Sequence, residues 1–385
     1  MKPLLVIFLT VVLDLIGFGI VIPLLTFYAE GTGATAMQVT LLMACYSATQ
    51  FLFAPLWGSL SDRLGRRPVL LISIGMGSLM LAGFAWASEL WLLFVFRSLH
   101  GVFAANISVA QAYVADVTSQ EDRAKGMGMI GAAFGLGFSL GPWIGGELSV
   151  YGLSAPIWLA SGLSALNFLL AWLLVPEPER KRSARRRTLN PTAFVEVLRH
   201  PAVGRAISLT FLMTFAFSMM ESTFALFEEH QHHLGAQEVG RLLGLIGVIG
   251  IIIQGGLIGR LSKRFGEVPL IRLGIAGLSV SLLGLAFAPP WVPLLVVCGF
   301  LAVFQSLLQP STQALISKRT SEEEQGFVLG TNQSLSALAR ATAPALGGFL
   351  FQHVAMSASF VAGSALLGLG TLVALRIRPE AREAN

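Results

Sequence analysis

Charge is what this sequence has least of. Only 12% of its 385 residues are Asp, Glu, Lys or Arg, about half the share of a soluble domain. So little charge cannot cover a water-facing surface. With 54% hydrophobic residues, most of the surface is expected to face lipid. Cysteine is almost as scarce. Cys45 and Cys298 both lie in apolar runs, which excludes a disulfide framework and a metal-ligand spacing. No glycine-rich phosphate loop is present, so ATP is not the driving ligand. No catalytic constellation gathers on one side, so neither an enzyme nor a resident cofactor or metal is expected. The 26 Lys and Arg exceed the 21 acids, yet they are spread among loops. Nucleic acid is therefore not an expected partner.

What the chain has is a series of long apolar segments. They fall near 4–28, 37–60, 69–88, 90–115, 126–148, 155–175, 205–228, 237–259, 268–288, 292–317, 326–351 and 356–375. Each is long enough to cross a bilayer, and in lipid each must satisfy its own backbone as a helix. The fold expected is an all-α integral membrane protein with twelve transmembrane helices. The N-terminal run imitates a signal peptide. It lacks a small-residue cleavage site and carries Asp14, so it reads as a retained first span. Arg63, Arg66, Arg67, Arg123, Lys125, Arg260, Lys263, Arg264, Lys318 and Arg319 share one set of alternate loops with both ends of the chain. The other set holds mostly acids and histidines, with Arg241 as the exception. By the positive-inside rule both termini are cytoplasmic.

A polar segment at 176–204 divides the chain into halves of 1–175 and 205–385. It holds a run of arginines from Arg180 to Arg187, then Asn190-Pro191, a helix start. A solvated cytoplasmic linker with a short surface helix is the preferred reading; a lipid-headgroup site is the alternative. The halves repeat. Gly58-Ser59-Leu60-Ser61-Asp62-Arg63-Leu64-Gly65 matches Gly259-Arg260-Leu261-Ser262-Lys263-Arg264-Phe265-Gly266, about 200 residues on. Gly141-Pro142 and the Gly145-Gly146 pair match Ala343-Pro344 and Gly347-Gly348, and Thr118-Ser119 matches Thr320-Ser321. Three landmarks in one register indicate two pseudo-symmetric six-helix halves, with a solute site near the midplane between them.

Chemistry is expected where charge is costly to bury. Asp14 lies roughly 16 Å into the first helix and Arg97 some 10 Å inside the fourth, at about 1.5 Å per residue. The two are within reach of each other. Glu221 and Arg340 lie at similar depth in the seventh and eleventh helices. Each couple is either a fixed packing bridge or a proton-coupling pair, because a carboxylate in an apolar cavity can hold a proton. Uncharged cavity candidates are Gln50, Asn106, Gln111, Gln305, Gln309, Asn332 and Gln333, with Phe211 and Phe215. An amide within a span also serves helix association, which is the competing role for each. His230, His232 and His233 are expected in a solvated loop; their spacing suits at most a weak metal site.

The stretch Gly58 to Pro68 is expected as a charged turn at a membrane face, with Asp62 as the anion at a helix N-terminus. Its spelling, G-x-L-x-D-R-x-G-R-R, resembles the signature between the second and third helices of the major facilitator superfamily. Asp14-Leu15-Ile16-Gly17-Phe18-Gly19 with Pro23 is similar to the first-helix signature of its drug:proton antiporters. Arg97-Ser98-Leu99-His100-Gly101 and Gly137 to Gly146 resemble their fourth- and fifth-helix motifs. Over nearly the full length the chain most resembles the tetracycline-resistance exporters, including Ala115-Asp116 and Asn332-Gln333-Ser334-Leu335. The resemblance implies a monomeric proton antiporter of the bacterial inner membrane that exports small organic compounds by alternating access. It assigns gating to Gly58, Asp62, Gly65, Arg66, Asp116, Gly141 and Pro142, with Asp62, Arg66 and Asp116 as a charge cluster. It assigns proton coupling to Arg97. Met80, Leu278 and Gly250 stand where tetracycline exporters carry two acids and a histidine, which argues against tetracycline itself. A nutrient transporter shares the fold and is the alternative reading.

Overall fold

Backbone satisfaction in an apolar chain leaves helix as the only economical element. The computed structural model describes residues 2–118, 120–178, 197, 200, 203–320 and 325–377, and among them no strand occurs. The helices are α1 (Lys2–Glu30), α2 (Ala36–Leu64), α3 (Arg66–Trp86), α4 (Leu90–Phe103), α5 (Asn106–Val117), α6 (Gln120–Leu148) and α7 (Ala155–Leu174). After the linker come α8 (Val203–His232), α9 (Ala236–Ile252), α10 (Ile258–Phe265), α11 (Glu267–Leu285), α12 (Val292–Lys318), α13 (Gln325–His353) and α14 (Ala358–Leu375). Eleven helical stretches among the described residues are long and apolar enough to cross a membrane, with α4 and α5 forming one and α9 to α10 another. The twelfth expected span is α13. It is 29 residues long but is not among the eleven, because Asn332, Gln333, Ser334, Arg340 and Thr342 dilute its apolar character. Most of the linker lies outside the described residues.

Two features differ from an unbroken-helix expectation. The fourth span is interrupted at Ala104 and Ala105, and side chains of α2 and α3 serve its released backbone. Gln50 Nε2 donates to Ala104 O at 3.3 Å, Ser73 Oγ donates to Phe103 O, and Ala105 N donates back to Ser73 Oγ at 3.0 Å. Between α9 and α10 the chain makes a π-helical turn, Ile253–Leu257, which contains the adjacent Gly255 and Gly256.

The chain divides into two compact units, Met1–Ala184 with Phe224–Val248, and Arg185–Thr223 with Ile249–Asn385. In the first, α1 packs on α6 and α7, and α3 on α7 and α4. In the second, α11 packs on α14 and α12, which repeats the α3 pattern. The same small polar bridges hold both. Ser78 and Ser161 exchange hydroxyl-to-carbonyl bonds at 2.9 Å between α3 and α7. Ser279 Oγ donates to Ser364 O at 2.8 Å between α11 and α14, about 200 residues later. Such bonds join helices where lipid offers no hydrophobic drive to associate.

Backbones approach closely where α6 meets α1. Gly137, Gly141 and Gly145 form a four-residue stripe against α1, and a Cβ on Gly141 would lie 2.6 Å from Gly19 Cα. One residue on, a Cβ at Gly146 would lie 2.9 Å from Gly240 Cα on α9. Pro142 sits inside α6 among these glycines.

Candidate functional site

The charged stretch after α2 is not an extended turn. Helix α2 continues through Asp62 and Arg63 to Leu64, and Gly65 alone separates it from α3. Gly65 holds φ at +115°, a backbone region open mainly to glycine. A Cβ there would also lie 2.5 Å from the Glu177 carboxylate. Glu177 fills the role expected of Asp62: its two oxygens accept from Arg66 N at 2.7 Å and Arg67 N at 2.9 Å at the start of α3. Asp62 sits instead in the last turn of α2. Local sequence offers no sign of the Glu177 cap, because that residue is 111 positions from Arg66.

The implied charge cluster is formed. Arg66 Nη1 lies 2.7 Å from Asp62 Oδ1, and Arg66 Nε lies 2.9 Å from Asp116 Oδ2. Ser61 Oγ accepts from Arg66 Nη1 at 2.6 Å. One guanidinium thus ties the end of α2 and the start of α3 to the end of α5. Gly58 lies one helical turn before Asp62, with open space beside it.

The second unit carries this arrangement with its charges inverted. Glu267, the residue after Gly266, lies 2.6 Å from Lys318 Nζ at the end of α12, and Ser262 Oγ donates to the same Oε1 at 2.8 Å. Ser61, Arg66 and Asp116 correspond to Ser262, Glu267 and Lys318 about 200 residues on. Asp62 corresponds to Lys263, so each charge of the first set has its opposite in the second. Gly266 repeats the positive φ of Gly65, at +81°. The repeat was visible in the sequence; the inversion emerges only when Glu267 and Lys318 are seen to pair.

Deeper in the first unit, Asp14 and Arg97 do not pair as expected. Asp14 is half-buried, and the side chain of Asn106, the first residue of α5, is its polar neighbour. The break in the fourth span therefore presents a helix N-terminus to a mid-span acid, an arrangement that favours an anion. Arg97 is 3% exposed and lays its guanidinium over Tyr46, 4.5 Å from the ring centroid, and over Phe18 at 5.6 Å. Its Nε and Nη1 have no hydrogen-bond partner among the described residues. Ring faces attract a guanidinium without neutralising it. The His100 ring packs on the other side chain of this group, 5.2 Å from Tyr46.

In the second unit Glu221 is half-buried on α8, and Arg340 of α13 is its electrostatic neighbour. Phe211 and Phe215 lie one turn apart on α8, their rings tilted with centroids 5.8 Å apart. The amide candidates scatter. Gln50 is engaged with Ala104, Asn106 neighbours Asp14, and Asn332 is 5% exposed with a buried Oδ1 that lacks a hydrogen-bond partner among the described residues. Gln111 and Gln305 are half-buried, and Gln309 and Gln333 are exposed.

The histidines are not in a loop either. Helix α8 continues to His232, and only His233 lies beyond it, with φ at +55°. Fully buried Glu228 pairs with His232 Nδ1 at 2.7 Å. Arg241, the exception to the loop-charge pattern, is clamped by Glu147 through bonds of 2.6 and 3.1 Å.

Comparison with known proteins agrees with this architecture. The family model described as Major Facilitator Superfamily matches residues 7–301 and 255–385. The class C tetracycline resistance protein of Escherichia coli is 33% identical over 348 residues, covering 89% of this chain and 87% of its own. Multidrug resistance protein 2 of Bacillus subtilis is 29% identical over 346 residues, covering 87% and 85%. Among solved structures, the human organic anion transporter MFSD10 (TETRAN) superposes with a TM-score of 0.74 at 27% identity, over 97% of this chain and 99% of that one.

Proposed function

The chain belongs to the major facilitator superfamily, and from that premise we propose that it exports amphipathic organic compounds in exchange for protons. That it is a membrane transporter and not an enzyme follows from the family; relatives named for tetracycline and multidrug resistance support a drug-like substrate. The observation that carries the coupling is Asp14. It is a mid-span carboxylate whose partner is the neutral amide of Asn106 at the start of a broken helix. A carboxylate in that setting exchanges a proton without first breaking an ion pair. The helix N-terminus steadies the anion once the proton has left.

Glu221 serves as a second carrier under a different control. Arg340 stabilises its anion when near, and a cationic substrate competes for the same carboxylate. Substrate and proton then exclude each other, which is the requirement for exchange. Arg97, buried over two rings, supplies positive potential on the Asp14 side. The two charge clusters at Arg66 and Glu267 open and close as helices part during alternating access. The protein works as a monomer in the bacterial inner membrane, with both termini in the cytoplasm.

Met80, Leu278 and Gly250 leave no acid or histidine at those positions for a cationic metal–drug complex. Tetracycline is therefore a poor substrate. The test is a panel of aromatic cations, neutral amphiphiles and tetracycline offered to proteoliposomes under an imposed pH gradient. Gradient-driven accumulation of aromatic amphiphiles with little tetracycline is expected. Strong tetracycline transport overturns the substrate assignment, and accumulation of none overturns the export reading.

A further inference from the structure

Three ligand-type side chains that the transport reading does not use meet at the C-terminal ends of α1 and α8. Glu30 closes α1, and Glu229 and His230 lie in the last turn of α8. One ligand atom from each, two carboxylate oxygens and an imidazole nitrogen, all lie within 4.8 Å of one another. His230 Nε2 stands 3.6 Å from Glu30 Oε1.

The orientation of the imidazole gives this cluster its meaning. His230 Nδ1 lies 3.0 Å from Leu226 O. A carbonyl oxygen only accepts, so Nδ1 carries a proton and the ring turns its Nε2 toward the carboxylates. A backbone bond of this kind is the usual support of a metal-bound histidine. Glu229 adds an independent sign: its Oε2 is buried and lacks a hydrogen-bond partner. Two carboxylates and an imidazole nitrogen held this close offer a favourable place for a cation. The adjacent Glu228 engages His232 through Oε2 at 2.7 Å, which takes that imidazole nitrogen out of the set.

We propose that Glu30, Glu229 and His230 form a binding site for a first-row divalent cation, which ties the end of α1 to the end of α8. Two oxygens and one imidazole suit Zn²⁺ or a neighbouring transition metal better than Mg²⁺ or Ca²⁺, which favour all-oxygen sets. Ligand atoms around a tetrahedral Zn²⁺, bound at about 2.0–2.2 Å, stand roughly 3–3.5 Å apart. The three atoms reach that spacing by small side-chain rotations, for which the exposed His230 ring is well placed. Water completes the set. The loop-charge pattern puts this end of both helices outside the cell, where the cation enters from the medium.

The test uses the full chain in lipid nanodiscs, with any affinity tag removed, titrated with Zn²⁺ by calorimetry. One Zn²⁺ per chain is expected. Glu30→Gln and His230→Gln should each weaken binding by at least about tenfold, since even the loss of a supporting residue costs that much. His233→Gln, a neighbour outside the cluster, should bind as the parent does. The melting temperature should rise with Zn²⁺ in the parent and in His233→Gln, and should not move in the other two. Absence of saturable one-to-one binding in the parent overturns the proposal. So does unchanged binding by well-folded Glu30→Gln, which places the metal on histidines alone. None of these readouts depends on transport, so they stand or fall separately from the export reading.

Discussion

At the residue scale, the two mid-span acids separate by the company they keep. Asp14 has the amide of Asn106; Glu221 has the guanidinium of Arg340. Removing the charge of Asp14 breaks no ion pair, because Arg97 rests on Tyr46 and Phe18 instead. Asp14→Asn should therefore fold normally, and substrate exchange without a gradient should persist while gradient-driven accumulation is lost. Parallel counterflow and accumulation assays in proteoliposomes check this; unimpaired accumulation removes Asp14 as a carrier. Glu221→Gln behaves differently if Glu221 and Arg340 serve only as a packing bridge. That variant would then be unstable, and the double variant with Arg340→Gln would recover both folding and coupled transport. As a carrier, Glu221→Gln stays folded and uncoupled, and the double variant stays uncoupled as well. Thermal stability measured beside accumulation separates the outcomes. The acids themselves were legible in the sequence, because a charge in an apolar run is conspicuous. Arg340 was legible as a counterpart of Glu221, but the neighbours in the first unit were not: Asn106 and Tyr46 reach Asp14 and Arg97 only through the packing of α1, α2, α4 and α5.

At the element scale, helix ends are where the fold joins its charges. Asp62 is 57% exposed at its side chain, so its pair with Arg66 contributes at most about 1 kcal/mol to folding. Asp62→Asn should leave expression and melting temperature nearly unchanged and yet strongly slow transport. Near-normal transport rates at matched protein levels contradict a gating role. The inverted cluster gives a sharper prediction. Glu267→Lys should impair transport, and adding Lys318→Glu should restore much of it by rebuilding the pair in the opposite sense. Failure of the double exchange to rescue means that position, and not pairing, matters at these sites. Close packing sets a different limit on α6. Any side chain at Gly141 meets the backbone of α1, so Gly141→Leu should destabilise the protein by several kcal/mol or prevent insertion, beyond the 1–3 kcal/mol typical of an overpacked core. Retention of the parent melting temperature would contradict that packing. Spans were legible from apolar run length. The break at Ala104 and Ala105 was not, because its cause lies in Gln50 and Ser73 on other helices. Helix ends were misplaced near Asp62 and His230 because polar residues stay helical when they lie beyond lipid and find partners there.

For the whole molecule, the loop-charge pattern predicts that both termini and the 176–204 linker face the cytoplasm. In a Cys45→Ser, Cys298→Ser background, Ser183→Cys should escape an impermeant thiol reagent in intact cells and react after permeabilisation. Labelling of intact cells reverses the orientation. Two-fold internal repetition was readable from Gly58 to Gly65 and its partner at Gly259 to Gly266. The structure extends it to the Ser78–Ser161 and Ser279–Ser364 bridges, which single serines in apolar runs do not announce. The tie between Glu30 and His230 was also hidden, because 200 positions separate them in the chain. The central claim is that a compound leaves as a proton enters. The direct measurement is proton movement evoked by substrate in proteoliposomes of weak internal buffer, followed with a pH-sensitive dye and no imposed gradient. An exchanger moves protons opposite to the compound, in proportion to flux, and Asp14→Asn abolishes the signal while compound exchange continues. Compound flux in the parent protein with no accompanying proton movement would contradict the account.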